Sequence, residues 1–253
     1  MGYGDEQDRM NLIRQRARPE INAGGFSRYE GVIQFFTRVQ ALIQSEFIVL
    51  DFGAGRGLFQ DDENPFRRNL RTLKGKVRKV VGVDIDAAVL TNQGVDETLL
   101  IEPGKPLPFA DGSFDLVLSE WTIEHLDDPD SFSREMRRVV KSGGWLCART
   151  PNKWGLTALG ATLIPNAFHV KVLGCLQSTR QDKDVFPTRY KLNTLAALNH
   201  HFPRDQWLNY SYLWRGEPKY FGNNAFLFYA MQAWNWLVPP FMATDIFIFL
   251  KRR

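Results

Sequence analysis

The sequence predicts an α/β fold: a doubly wound, largely parallel sheet with helices on both faces. Three observations predict it. Short valine- and leucine-rich runs alternate with helical stretches between residues 28 and 151. A glycine-rich turn, Gly53-Ala54-Gly55-Arg56-Gly57, follows the first such run, and an aspartate, Asp84, stands at the end of the second.

The elements follow in order. Residues 1–45 read as an N-terminal helical lead whose first part is strongly charged. Within it, Arg28 to Gln44 carries Val32, Phe35, Phe36, Val39, Leu42 and Ile43 at helical spacing, so an amphipathic helix is expected. Phe47 to Phe52 is a buried strand. After the glycine turn, a helical return is expected, with the polar and basic stretch Asp61 to Gly75 as the solvated part of the crossover. Lys79 to Asp86 is the second strand, and a helix from Ala87 follows. Thr98 to Ile101 and Phe114 to Ser119 are the third and fourth strands. Asp130 to Lys141 is a helix, opened by Pro129 and stopped by Gly143-Gly144. Gly144 to Thr150 is the fifth strand, closed by Pro151. The pattern then breaks. Asn152 to Thr188 looks like an insertion, and residues 152–205 are expected to form a substrate cap. Lys191 to Phe202 is a short helix, and Gln206 to Trp214 and Thr244 to Lys251 are strands. The organisation expected is one domain over residues 1–253.

Composition narrows the function classes. With 253 residues, 44% hydrophobic and 24% charged, the chain can bury a core of ordinary globular size. A net charge of +4 is mildly basic, without the clustered Lys/Arg of a nucleic-acid surface, so no nucleic-acid partner is expected. Attraction to an anionic substrate or membrane surface stays open. The two cysteines, Cys147 and Cys175, form no CxxC pair and no metal-ligand spacing, which fits a reducing cytoplasm and no metal. The N-terminus lacks the apolar core of a secretory signal. Ala225 to Leu250 is apolar, but Gln232, Asn235, Pro239-Pro240 and Asp245 interrupt it. A helix followed by a buried strand is expected there rather than a spanning helix; an aromatic patch in peripheral contact with a membrane is the alternative.

The glycine turn sets backbone N–H groups against a ligand and lets it approach closely. Glycines at 53, 55 and 57 leave Leu58 where the dinucleotide fingerprint needs glycine, which disfavours a nicotinamide cofactor. Asp84, 29 residues after Gly55, places a carboxylate that can accept both hydrogen bonds of a ribose diol.

These residues carry a family resemblance. Val49 to Gly57 resembles the first motif of class I S-adenosylmethionine-dependent methyltransferases, and Val80 to Asp86 resembles their second. Leu107 to Asp115 and Glu120 to Leu126 are similar to the segments flanking their fourth strand. The likeness covers Phe47 to Asn152 and is closest to the type 11, ubiquinone-biosynthesis-like small-molecule branch. It implies a Rossmann-like sheet of seven strands, the last antiparallel, plus a helical cap. It implies S-adenosylmethionine as cofactor, with Gly53, Ala54 and Gly55 on its amino-acid part. Asp51 would orient the loop or the ammonium group, Asp84 would hold the ribose and Ile85 would pack on adenine. Ser119 and Glu120 would lie beside the methionine moiety. In place of the Asp-Ala pair that many relatives set against the adenine amine, this chain has Ile101-Glu102-Pro103-Gly104.

The expected reaction is methyl transfer to a small-molecule, lipid-linked or glycan acceptor, with oxygen as the atom methylated. His125 is the candidate base, with Glu124 beside it; Thr122 replaces the acid that would complete a metal cluster in some relatives. His169, His200 and His201 fall in the cap region. Arg189-Tyr190 is a candidate anion contact and Arg28-Tyr29 a candidate closure over the cofactor. The alternatives are RNA or protein methylation and a catalytically silent cofactor-binding module.

Overall fold

The computed structural model describes residues 3–156, 158–159, 187–218 and 221–253. They fall into two compact units. The larger comprises 32–151, 188–212 and 246–253, and the smaller comprises the described residues within 1–31, 152–187 and 213–245.

The larger unit holds the expected alternation of strands and helices, and the elements of both units follow in chain order. Helix α1 (Tyr3–Ala17) and helix α2 (Gly31–Leu42) precede β1 (Ile48–Phe52); α3 (Pro65–Arg71) leads to β2 (Lys79–Asp84) and β3 (Glu97–Leu100). Then come β4 (Phe114–Glu120), α4 (Pro129–Val139), β5 (Val140–Pro151), α5 (Leu195–His201), β6 (Trp207–Asn209) and β7 (Tyr212–Trp214). Helix α6 (Ala225–Leu237) and β8 (Asp245–Arg252) complete the described elements. The sheet order is β3-β2-β1-β4-β5-β8-β6, with β7 also on β8. Strands β1 to β5 pair in parallel, and β8 runs antiparallel to β6. Val49, Leu50 and Val83 are fully buried, as strands covered on both faces require.

Three elements depart from expectation. The sheet has eight strands rather than seven because the run from Gln206 to Trp214 is broken at Tyr210-Ser211. There Asn209 Oδ1 accepts from Ser211 N–H at 2.9 Å, and Ser211 Oγ accepts from Phe249 N–H at 3.1 Å. The side chains thus take ladder bonds that a continuous strand would make. The helix expected from Ala87 is a single 3-10 turn, Ala87–Thr91. It cannot propagate because Asn92 Oδ1 closes a turn on Gly94 N–H (2.8 Å) just before β3 begins. The helical return after the glycine turn is reduced to a 3-10 turn, Leu58–Asp61, before α3.

The larger core is aromatic. Phe35 of α2 meets Phe247 and Phe249 of β8 with ring centroids 5.6 and 5.4 Å apart. In the smaller unit Arg14 on α1 holds Glu217 through two bonds of 3.0 and 2.8 Å. Asn224 Oδ1 caps α6 by accepting from Leu227 N–H at 3.0 Å, and Arg215 binds the carbonyls of Asn235 and Val238 at its other end.

Candidate active site

The glycine turn is pinned to β2. Gly53 N–H and Ala54 N–H both donate to the carbonyl of Val83, at 2.8 and 3.1 Å. Gly53 has φ of +80°, and a Cβ there would lie 2.1 Å from Thr122 Oγ1, so only glycine fits between β1 and the loop after β4. Gly55 differs: its φ is +49°, yet the space on its Cβ side is open. That opening is where a ligand can lie against bare backbone, and it is the feature of this structure that a cofactor fits.

Asp84 ends β2 beside the turn. Its Oδ2 accepts from Gly55 N–H at 2.9 Å and its Oδ1 from Asp86 N–H at 3.0 Å. Each oxygen keeps a further lone pair for a ligand hydroxyl. Ile85 next to it is exposed, and Ile101 N–H donates to the Asp84 carbonyl at 2.9 Å, so the Ile101 to Gly104 stretch stands at the same strand end. On α4, Arg138 binds the carbonyls of Leu107 (2.9 Å) and Phe109 and the Asp111 carboxylate (3.1 Å), fixing the following Leu-Pro-Phe run.

Behind the turn lies a charged cluster that sequence reasoning missed. Glu120, at the end of β4, is bound by Arg71 Nη2 at 2.9 Å and by Arg149 at 2.5 Å. Burial alone would raise the Glu120 carboxyl, but the two guanidinium groups outweigh it and hold it below the usual range. Arg71 also lies over the Phe59 and Phe36 rings, and Arg149 lies 4.9 Å from the Trp121 ring centroid. Trp121 takes φ of +53°, a left-handed conformation that a bulky residue adopts only when its surroundings impose it. Asp51 on β1 faces the same cluster. Burial first, then the charge of Glu120, push its carboxyl up to about 7, with Asp84 adding and Arg71 opposing.

The sign of that shift gives a test. A carboxyl raised from 3.8 to about 7 in the folded state contributes stability below about pH 4 that is lost as pH rises through 7. Asp51→Asn mimics the protonated form at every pH. Thermal unfolding should therefore show the variant gaining on wild type between pH 5 and pH 8; an unchanged difference would mean that Asp51 is ionised throughout.

Asn92, like Arg71 and Arg149, was missed. Its Nδ2 donates to the carbonyls of Ala54 and Gly55, both at 3.1 Å, bracing the turn from below. Ser119 is buried, and its hydroxyl donates to the Phe52 carbonyl at 2.9 Å, tying β4 to β1 where the turn begins. Asp51, Gly53, Ala54, Gly55, Asp84, Ile85, Ser119 and Glu120 are thus gathered at the carboxyl ends of β1, β2 and β4, where open α/β sheets bind ligands.

His125 and Glu124 occupy the 3-10 turn Ile123–His125 after β4. Glu124 is buried; its Oε2 accepts from Thr150 Oγ1 at 2.8 Å, and Asn193 Nδ2 donates to the same hydroxyl at 2.7 Å. The Glu124 carbonyl accepts from Arg189 N–H (2.7 Å) and Tyr190 N–H (3.1 Å). Glu124 therefore joins the post-β4 turn to the end of β5 and to the segment before α5. His125 is half-buried on the same turn. Arg189 pairs with Asp127 at 2.7 Å, His201 Nδ1 lies 2.8 Å from Asp130, and His200 packs edge-on against His201. Arg28 is exposed and pairs with Glu20 at 2.9 Å. His169 and Cys175 lie outside the described residues.

Comparison with known proteins bears on this geometry. The profile of the methyltransferase domain family of type 11 matches residues 50–148. A probable S-adenosylmethionine-dependent methyltransferase of Mycolicibacterium smegmatis is 30% identical over 134 residues, 52% of this chain and 48% of that protein. A ubiquinone/menaquinone biosynthesis C-methyltransferase of Laribacter hongkongensis is 28% identical over 134 residues, 50% of this chain and 51% of its own length. The chain thus spans about half the length, or less, of the curated relatives it matches. Among solved structures, a putative methyltransferase in complex with the Haloferax volcanii Trm112 activator superposes with a TM-score of 0.55 at 14% identity, over 98% of this chain and 96% of that one. At that identity the likeness speaks for the fold. The segment 50–148, with the glycine turn and Asp84 inside it, is thus the part of the chain that is similar to the type 11 methyltransferase domain.

Proposed function

We propose that the chain binds S-adenosylmethionine at the glycine turn and transfers its methyl group to a small-molecule, lipid-linked or glycan acceptor, at an oxygen. The observation that carries this reading is the pairing of open space over Gly55 with the Asp84 carboxylate bonded to the same residue's N–H. A loop bare of side chains and an adjoining diol acceptor suit a nucleoside carrying an amino-acid tail. Asp84 would hold the ribose hydroxyls, Ile85 the adenine face, and Asp51, Gly53, Ala54, Ser119 and Glu120 the amino-acid end.

When bound, the sulfonium supplies an activated methyl group and a good leaving group. The residues of the chain then have two tasks. The first is alignment, and a rigid turn braced by Asn92, Ser119 and Val83 serves it. The second is to take the acceptor's hydroxyl proton. His125 is proposed for that, with Glu124 and its Thr150–Asn193 bonds setting the position of the turn on which His125 sits.

The acceptor class draws support from relatives whose names place them on small organic molecules, among them an ajmaline N-methyltransferase of Rauvolfia serpentina, 44% identical over 63 residues, 24% of this chain and 22% of that protein. A lipid-linked acceptor fits the apolar C-terminal stretch.

The test is transfer of labelled methyl from S-adenosylmethionine to metabolite and lipid extracts. A labelled product would identify the acceptor; none, with cofactor binding intact, would favour the silent module. On that product His125→Gln should lower kcat by about 10²–10⁴-fold with cofactor affinity unchanged. Full activity in the variant would remove His125 as the base.

A further inference from the structure

The smaller unit carries a surface that the cofactor site does not use. From Tyr220 to Thr244 the chain has no Asp, Glu, Lys, Arg or His. Helix α6 lies in this stretch and carries no charge, with Gln232 and Asn235 as its polar side chains. At about 100° per residue, Phe226, Tyr229, Ala230, Ala233, Trp236 and Leu237 fall on one stripe, and all are exposed. Phe228 and Asn235, on the opposite stripe, are buried. The helix is therefore docked by one face and presents a second apolar face to the outside, with Phe226 and Leu237 82% and 84% exposed. A helix seated on a water-soluble unit normally shows a polar face there. The patch continues past the helix. Phe241 is exposed, and its carbonyl is held by Asn152 Nδ2 at 2.8 Å, which brings the exposed Lys153-Trp154 pair next to it in the chain fold.

We infer that this face is a membrane-surface contact, seated at the headgroup level of a bilayer that contains anionic lipid. It deepens the lipid-facing part of the proposed function, yet it rests on the α6 surface alone. Residue types argue for the interface: Trp236 and Tyr229 edge the stripe, Phe226 and Leu237 run along its middle, and this is the distribution of amphipathic aromatics over apolar anchors found at headgroup depth. No described helix is long and apolar enough to cross a membrane, so the contact is one of lying on the surface. Charge agrees. The charged side chains named at the patch, Lys153 and Arg215, are both basic, the stretch holds no carboxylate to be repelled, and the chain as a whole carries +4.

The test is flotation of the full chain with vesicles of phosphatidylcholine alone or with one-third phosphatidylglycerol. Wild type should float with the anionic vesicles. Phe226→Glu and Leu237→Glu should each lower the partition coefficient at least tenfold, because each removes a large apolar anchor. Lys153→Glu should reduce binding to anionic vesicles and leave the residual binding to neutral ones. All three glutamate substitutions are on exposed positions, and unchanged unfolding temperature and S-adenosylhomocysteine affinity would show that fold and cofactor site are intact. Full recovery of wild type in the lipid-free fraction overturns the inference. So does equal flotation of the Phe226→Glu and Leu237→Glu variants, or a dimer in light scattering that Leu237→Glu abolishes.

Discussion

Arg149→Met is expected to cost about 3–5 kcal/mol of stability, the range for removing one partner of a buried ion pair. Arg149 is 7% exposed at its side chain, and its guanidinium holds Glu120 together with Arg71. Methionine fills much the same volume, so the loss reports charge rather than packing. Glu120 would be left with Arg71 as its named counter-charge, in a site where burial already works against the carboxylate. The contact over the Trp121 ring would go as well, releasing a residue held at φ of +53°. For a unit of this size the unfolding temperature should fall by roughly 10 °C. The control is the double variant with Glu120→Gln. If the cost lies in a stranded charge, the double variant should be more stable than Arg149→Met alone, a non-additivity characteristic of coupled buried pairs. A single-variant loss below about 1 kcal/mol would show that Glu120 is solvated and that the cluster does not brace the site.

Asp84→Ala should weaken S-adenosylhomocysteine binding about 100-fold. The carboxylate would supply two charge-assisted hydrogen bonds to the ribose, each worth about 1.5–3 kcal/mol, with imperfect additivity. It also orients the turn, since its Oδ2 takes the Gly55 N–H. Asp84→Asn keeps one acceptor oxygen at that position and should lose about tenfold. The ordering of wild type, Asn and Ala is the informative result. A threefold loss or less in the alanine variant would mean that the ribose is held elsewhere.

The parts of the site that were legible in the sequence are local in the chain. Asp51, the glycine turn and Ile85 beside Asp84 each sit at the end of a strand whose apolar run announces it, and the strand-turn pattern specifies where the backbone goes. The parts that were not legible are long-range. Arg71 reaches Glu120 across 49 residues, Arg149 reaches it across 29, and Asn92 reaches Ala54 across 38. An arginine in a basic crossover gives no sign of which carboxylate it will meet, so Arg71 read as part of a solvated stretch. Asn92, in a Thr-Asn-Gln-Gly turn, reads as loop punctuation until its amide is seen under the glycine turn. The same applies to the sheet: its largely parallel character followed from the alternation of elements, whereas the break at Tyr210-Ser211 depends on side-chain bonds from Asn209 and Ser211 that no periodicity records. Glu124 shows the converse. It stood out as a candidate beside His125, and its burial with Thr150 and Asn193 adds a structural task that its sequence position did not suggest.

The most direct test of the account is a calorimetric titration of the intact protein with S-adenosylhomocysteine. Binding to a single site, weakened strongly in Asp84→Ala, is the predicted result. No heat at ligand concentrations well above the range usual for this cofactor, with the wild-type protein folded, would contradict the assignment of the Gly53–Gly57 turn as the cofactor site.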